Sequence, residues 1–447
     1  MADVADTQDN TASGLLRFAG DVSIEKVMIT SLITGRTFNV ANQLLTIQIF
    51  EDLFSPFISG SLIFRESLDF ANNFPFVGEE IVDLKIYTPT LERQSGKNGV
   101  IEGRFYIYKM ADREEIGERN IAYQLHFINI DALADLNNKV SRAYDGKISD
   151  LAKQVLTDPA TLGTEKKVNV EETSNKIKYI SNWWSPIRNI NFMIDHAVNT
   201  KGSPTYVFFE NRNGYNFVSL DTLNEGEKVQ KFVYNNSQDE INPAGGSTRR
   251  LDLDFSRIVE MKVPVSHDFM ERATRGTYGS TMTFNDLTSK RYIKQKFSMF
   301  DGWGEENKQV RLNKFPMASK NVLTSYSAKV FNEFIEVNVF TGYGDVSNVR
   351  TIQNRVSRLT QAEAFKLEIT VAGRTDYTVG QVVSVKTFQP EPMYETDSMQ
   401  EQKDKLISGN YLISAINHEI TREKHDCNME LIKDSLTINL DNKAKSK

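Results

Sequence analysis

The sequence predicts a mainly β protein with α+β insertions: two similar antiparallel β-barrel domains plus an α/β inserted domain. Three observations predict it. Both ends of the chain's body carry short runs that alternate apolar and polar residues, the period of two expected of half-buried strands. The middle switches to a helical period. The stretch "DKLISGNYLISAINHEITREKHDCNMEL" (404–431) also reads as a β-hairpin, and a similar pattern already stands near residue 101.

The elements follow in order. In "QLLTIQIFEDLF", Leu45, Ile47 and Ile49 alternate with Thr46 and Gln48, and "GSLIFRE" follows a break at Ser55-Pro56. "EEIVDLKIYT" puts Val82, Leu84 and Ile86 on one face and Asp83 and Lys85 on the other. "GRFYIYKM" and "NIAYQLHFINI" complete at least five strands between about residues 24 and 132. So many short strands should sandwich or close into a barrel, because an open sheet exposes hydrogen-bonding edges.

Helical spacing then begins. "GKISDLAKQVLTDP" gathers Ile148, Leu151, Ala152 and Val155 on one face, and Asp158-Pro159 stops it. "SPIRNINFMIDHAVNTKG" offers Ser185 as N-cap, Pro186 in the first turn and Gly202 past the end. Its stripe runs Ile187, Ile190, Ile194, Ala197, Val198. "TYVFFENRNGYNFVSL" is a hairpin around Asn213-Gly214, and "NPAGGSTRR" (242–250) is a turn-rich linker. Strands resume with "RIVEMKVPV", "STMTF" and "RYIKQKF". An irregular stretch containing "FDGWGEEN" leads to "KVFNEFIEVNVF" and then to a helix, "SNVRTIQNRVSRLTQAEAF", with Val349, Ile352, Val356 and Leu359 on one face. The last section is strand: "FKLEITVAGR", "QVVSVKTF", "LISGNYLISAINHEI" and "DCNMELIKDSL".

The hairpin repeat organises these elements. "IEGRFYIYKMADREEIGERNIAYQLHF" (101–127) aligns without a gap on "ISGNYLISAINHEITREKHDCNMELIK" (407–433). Gly103 meets Gly409, Phe105 meets Tyr411, Ile107 meets Ile413 and Leu125 meets Leu431. Upstream, "FVGEEIVDLK" (76–85) resembles "TVGQVVSVK" (378–386) with one residue fewer. The shared order is Val-Gly, strand, loop, strand, turn, strand, and it predicts a duplicated β domain in which Gly103 and Gly409 are equivalent. The expected boundaries are a flexible extension at 1–20, a first barrel at 21–132 and an α/β domain at 133–253. A second, discontinuous barrel takes 254–297 and 358–437, an insertion with strands and a helix takes 298–357, and 438–447 is a flexible tail.

Composition narrows function by exclusion. A chain of 447 residues at 40% hydrophobic and 25% charged can bury several cores. A net charge of −6 provides no basic footprint for gripping nucleic acid. The single cysteine, Cys427, rules out an internal disulfide and a thiolate metal cluster. No run approaches the ~18 apolar residues of a membrane span. The start, "MADVADTQDNTASG", is unlike a secretory signal, so a reducing cytoplasm is the expected home.

The chemical candidates are weak. His418 and His425 flank Asp426 and Cys427, but His425 and Cys427 share a strand face with no evident oxyanion donor, so packing is the better reading. His126, His196 and His267 are scattered, without metal-ligand spacing. "GYGDVSN" reads as a turn, "NWW" as aromatic packing ahead of a helix, and "MADREEIGERN" (110–120) as a solvated hairpin tip. The sequence therefore assigns no catalytic, cofactor-binding or metal residue, expects no cofactor, and leaves the partner-binding residues unassigned.

Several stretches resemble the baseplate hub family of contractile-tailed phages, which takes in the T-even tail-spike adaptor, the late-control D proteins and the N-terminal part of type VI secretion spike proteins. "NWWSPIRNINFMIDHAV" (182–198) resembles the family's Trp-Ser/Thr-x-x-x-Asn stretch, and "RIVEMKVPVSHDF" (257–269) the strand that begins its second barrel. "FKLEITVAGRTDYTVGQVVSVK" (365–386) resembles its run into a Leu-x-Pro-Gly turn, with Tyr377-Thr378-Val379-Gly380 in that place and no proline. "GNYLISAINHEI" resembles its closing signature, including His418. The polar tract 389–405 and the extension 1–20 depart from the pattern. The resemblance implies two tube-type barrels and a structural protein, not an enzyme. It implies a homotrimer in the virion's tail baseplate, assembled in the host bacterial cytoplasm. It further implies contacts with the tail tube protein, the central spike protein and other baseplate proteins, and a channel through which DNA passes without specific binding. The hub of a phage-like contractile injection system is an alternative, and a virion-associated glycan hydrolase a more distant one.

Overall fold

The computed structural model describes residues 16–66, 77–91, 99–115, 120–234, 251–266, 268–286, 290–299, 329–335, 346–388, 403–404 and 406–435. The linker at 242–250, "FDGWGEEN", the first four residues of "GYGDVSN", His267 and the tail at 438–447 lie outside the described residues, as do most of 1–20, 298–345 and 389–405. The last three residues of "GYGDVSN", 346–348, begin a helix rather than a turn.

The N-terminal half is seven strands: β1 (Ser23–Ser31), β2 (Thr37–Asn39), β3 (Leu44–Asp52), β4 (Ser59–Glu66), β5 (Glu80–Tyr87), β6 (Val100–Glu115) and β7 (Ile121–Asn129). Alternation decides which face is buried. Ile47, Ile49, Leu62, Val82, Leu84 and Phe127 share one core, while Gln48, Asp83 and Lys85 face outward.

The middle of the chain supplies α1 (Asp131–Asn137), β8 (Ala143–Lys147), α2 (Ile148–Thr157), β9 (Val168–Val170), β10 (Lys176–Ile180), α3 (Pro186–His196), β11 (Tyr206–Asn211), β12 (Gly214–Ser219) and α4 (Leu220–Asn224). In α2 the expected face, Ile148, Leu151, Ala152 and Val155, is buried. Helix α3 begins as expected, with Ser185 Oγ accepting from Arg188 N at 3.3 Å and Pro186 in the first turn. It ends sooner, at His196, so Ala197 and Val198 are not helical. The reason is Asn175, whose amide donates to His196 O at 2.7 Å and accepts from Val198 N at 3.1 Å, drawing the chain out of the helix. The β11–β12 hairpin closes at Asn211 and Gly214, where φ is +121° and a Cβ would lie 2.1 Å from the Lys167 carbonyl. Only glycine fits there.

The remaining elements are β13 (Lys228–Tyr234), α5 (Leu251–Ser256), β14 (Ile258–Ser266), α6 (Phe269–Arg275), β15 (Gly279–Asp286), β16 (Arg291–Ser298), β17 (Lys329–Ile335), α7 (Val346–Ala362), β18 (Phe365–Ala372), β19 (Val382–Thr387), β20 (Gly409–Thr421) and β21 (His425–Lys433). β15 and β16 stand apart from the second barrel to which the sequence assigns them. They form a separate sheet with β17, because β15 has β16 on one edge and β17 on the other. The buried face of α7 also differs from expectation. Gln353, Ser357, Arg358 and Gln361 are buried, whereas Ile352, Val356 and Leu359 are only half-buried. Polar partners make this possible: Gln353 donates to Ser280 Oγ at 2.8 Å, Gln361 to Asp434 O at 2.7 Å, and Arg358 to Asp221 and Ser203.

The repeat is visible in the strand registers. β5 pairs with β6 and β6 with β7, and likewise β19 with β20 and β20 with β21, all antiparallel. Gly103 stands opposite Leu84, and Gly409 opposite Val385. Gly78 and Gly380, at the matching Val-Gly steps, have φ of +85° and +86°. A bulge falls between Ile107 and Lys109 in one copy and between Ile413 and Ala415 in the other, at aligned positions. The third strand corrects the gapless alignment. Ile107 faces Phe127 and Ile413 faces Leu431, so Leu431 corresponds to Phe127, not Leu125. A second irregularity in β6, between Ala111 and Glu114, adds one residue to the first hairpin. A connection one residue longer between Glu115 and Ile121 than between Ile420 and His425 adds the other, and together they account for the two-residue slip.

Candidate functional site

The two halves meet in one hydrogen-bonded sheet of thirteen strands. β20 makes the join. Its residues 409–412 pair with β19, 412–420 with β21 and 415–421 with β3 of the N-terminal half. The sheet path runs β14-β18-β21-β20-β3-β4-β7-β6-β5-β1-β2.

Its solvent face between β14 and β3 forms a shallow groove of about 500 Å³. Asp52, Glu260, Glu368 and Glu430 line it with Asn417 and Asn428, against the single cation Lys262. Lys262 is itself engaged by Glu260 at 3.0 Å. Apolar side chains, among them Phe50, Ile369 and Met429, form part of its lining, and the carboxylates make it a surface that repels polyanions.

Among the described residues both ends of the path are strand edges. β14 carries exposed Val259 (62%) and Val263 (39%). Pro264, which has no N–H, and a register shift between Lys262 and Val265 blunt its pairing edge. At the other end Leu32 and Ile33, in the β1–β2 connection, are 55% and 65% exposed.

A buried polar junction fixes the halves to the inserted α/β unit. Glu51 on β3 accepts from the Thr378 hydroxyl and from Val379 N at 3.1 Å. Burial pushes its carboxyl above the usual range, opposed by the Thr378 bond and by Arg212 nearby. Arg212, in the β11–β12 turn, donates to Asp376 O at 2.6 Å. Burial lowers its pKa, with Glu51 and Asp376 acting against that. This geometry accounts for the missing proline. Val379 N–H is used in a bond to Glu51 that a proline at that position could not make.

The hairpin brings together three groups that the sequence reading assigned to packing. His418 stands opposite Cys427 in the register, and His425 is two residues away on the same face. His418 Nδ1 lies 3.0 Å from His425 Nε2, and Cys427 Sγ lies 3.3 Å and 3.4 Å from those two nitrogens. All three side chains are fully buried. Burial holds His418 well below its ordinary pKa, takes His425 down to about 3 and pushes the Cys427 thiol up. The sequence reading placed His425 and Cys427 on one face but did not pair the strands, and the short turn at 422–424 was the signal that brings His418 across.

The other candidates stay apart. His196 Nδ1 contacts Phe192 O at 2.8 Å at the end of α3, and the His126 ring lies 6.2 Å from that of Tyr108. Trp184 packs against Tyr179 and Phe192 as expected of "NWW", while Trp183 is 69% exposed.

No protein-family model and no curated protein matches the chain. Solved structures do. A tail protein from Neisseria meningitidis MC58 superposes with a TM-score of 0.52 at 11% identity, over 92% of this chain and 96% of that one. The 43 kDa tail protein of prophage MuSo2 from Shewanella oneidensis gives 0.51 at 10%, over 93% of this chain and all of the other. The chain shares their fold.

Proposed function

From the fold shared with two tail proteins, we propose that this chain is a structural baseplate hub protein of a contractile phage tail. Its tube-type domains are 21–132 and 254–266 with 358–437, the separate sheet of β15, β16 and β17 lying outside the second. Three chains form a ring, and because each contributes two similar halves the ring is pseudo-six-fold on the tube side and three-fold toward the central spike. Other baseplate proteins surround it in the virion.

The observation that carries this reading is the single sheet spanning both repeats, whose end strands each have, among the described residues, one edge without a strand partner. A head-to-tail ring sets the β14 end of one chain against the β1–β2 end of the next. That contact covers Val259 and Val263 with Leu32 and Ile33 and buries strand edges that otherwise invite aggregation. The acid-rich face then lines a channel that passes DNA without holding it. The genes beside this one decide between a phage and a phage-derived injection machine.

Native mass spectrometry of the chain with its spike should give a trimer, and electron microscopy a ring of six similar lobes around an open channel. Val263→Asp with Ile33→Asp should yield monomer with an unchanged melting temperature. A persistent monomer in the unaltered protein, a closed plate or only three lobes at tube radius refutes the reading.

A further inference from the structure

We propose that His418, His425 and Cys427 form a structural binding site for a zinc-class transition-metal ion, held inside the β20–β21 hairpin. The donor atoms themselves carry the argument. His418 Nδ1, His425 Nε2 and Cys427 Sγ all lie within 4.8 Å of one another, with separations of 3.0, 3.3 and 3.4 Å. A tetrahedral zinc site, with metal–nitrogen bonds of about 2.0–2.1 Å and a metal–sulfur bond of about 2.3 Å, sets nitrogens about 3.3 Å apart and nitrogen from sulfur about 3.6 Å apart. Each observed separation falls a few tenths of an ångström short of that triangle. An ion at its centre needs only a small outward relaxation.

The donor set is also chemically coherent. Two imidazoles and one thiolate suit zinc or copper and do not suit magnesium or calcium, which take oxygen ligands. The site is dry: all three side chains are fully buried, so an ion must enter while the hairpin folds and afterwards exchanges slowly. In this structure the three donor atoms face one another, each within hydrogen-bonding distance of the other two.

Backbone on several sides holds the ligands in place. His425 N donates to Gly20 O at 2.9 Å, and Gly373 N donates to His425 O at 2.8 Å. The His425 ring lies directly on Gly373, where an added Cβ would come within 2.3 Å of it. The Arg374 backbone amide faces the Cys427 sulfur, and Asp376, Asp426 and Glu51 place negative charge near it. Binding converts the Cys427 thiol to a thiolate and releases one proton to solvent, while the two imidazoles bind neutral. The ion thereby ties the hairpin to the β18 turn and to the segment ahead of β1. This role is independent of the oligomeric ring.

The test uses the full chain without an affinity histidine tag, purified from zinc-supplemented cells. Elemental analysis should find about one zinc per chain after dialysis against EDTA, with release only on unfolding. Protein unfolded, stripped and refolded with Co(II) should show visible d–d bands and a near-ultraviolet sulfur-to-cobalt charge-transfer band. Cys427→Ser should lose the charge-transfer band, and His425→Gln should weaken cobalt binding at least tenfold. Because core variants can fail to fold, the unaltered chain decides the matter. Folded wild type that carries less than about a tenth of an equivalent of any d-block metal, and refolds with cobalt to give neither band, overturns the proposal.

Discussion

Arg358→Met tests whether the polar belt around α7 holds the inserted unit to the C-terminal half. The Arg358 side chain is 1% exposed and pairs with Asp221, itself 13% exposed, at the start of α4. It also donates to the Ser203 hydroxyl. Methionine keeps much of the volume and a similar helix propensity, so the change isolates charge and hydrogen bonding. Removing one partner of a buried pair costs roughly 3–5 kcal/mol, because the other charge stays behind without compensation. Asp221 retains some exposure and sits in a helix's first turn, which favours a carboxylate, so about 3 kcal/mol is the expected loss. Asp221→Asn should cost a similar amount by stranding Arg358. The double variant should lose about 3–4 kcal/mol, well short of the sum, since neither charge is then left alone. Urea unfolding of the full chain, followed by circular dichroism and tryptophan fluorescence, measures all three. A loss below about 1 kcal/mol for Arg358→Met, or strict additivity in the double variant, would refute the reasoning.

Gly60 sits on β4 between β3 and β7, where a Cβ would lie 2.3 Å from Gln48 O and 2.4 Å from the Phe127 ring. Gly60→Ala should therefore cost about 3 kcal/mol or more, while Gly35→Ala, with nothing within 4 Å but a φ of +65°, should cost only about 1 kcal/mol. Equal thermal shifts for the two would contradict the packing argument. Lys433 is buried with Nζ 2.7 Å from Leu406 O and over the rings of Phe365 and Tyr411, and burial takes its pKa down to about 7. Between that value and the ordinary 10.5 the unfolded chain holds the extra proton, so stability should rise with pH across the window, by up to about 1.4 kcal/mol per unit. Lys433→Met should flatten the rise, and parallel pH profiles for the two proteins would show that the ammonium stays charged in the fold.

Much of this molecule was legible one residue at a time. The alternation in β5 and β18 decided which side chains are buried, because a strand's faces follow from its own sequence period. In β3 it held for Ile47 and Ile49, but a register shift between Leu44 and Thr46 buries Leu44 and leaves Leu45 39% exposed. Ser185-Pro186 set the start of α3, because capping is local chemistry. The order of the repeat was legible too, since the two Val-Gly steps adopt the same positive φ, but the aligned bulges in β6 and β20 emerged only from the strand registers. What local pattern could not decide was which elements meet. The face of α7 follows from partners such as Asp221 and Ser280, distant in sequence, which make a buried arginine and glutamine tolerable where apolar periodicity pointed elsewhere. The approach of His418 to Cys427 needed the hairpin register, and the β3–β20 pairing needed both halves folded. Strand edges of similar hydrogen-bonding pattern are interchangeable to the sequence, and only the closing of the whole chain selects one neighbour from many.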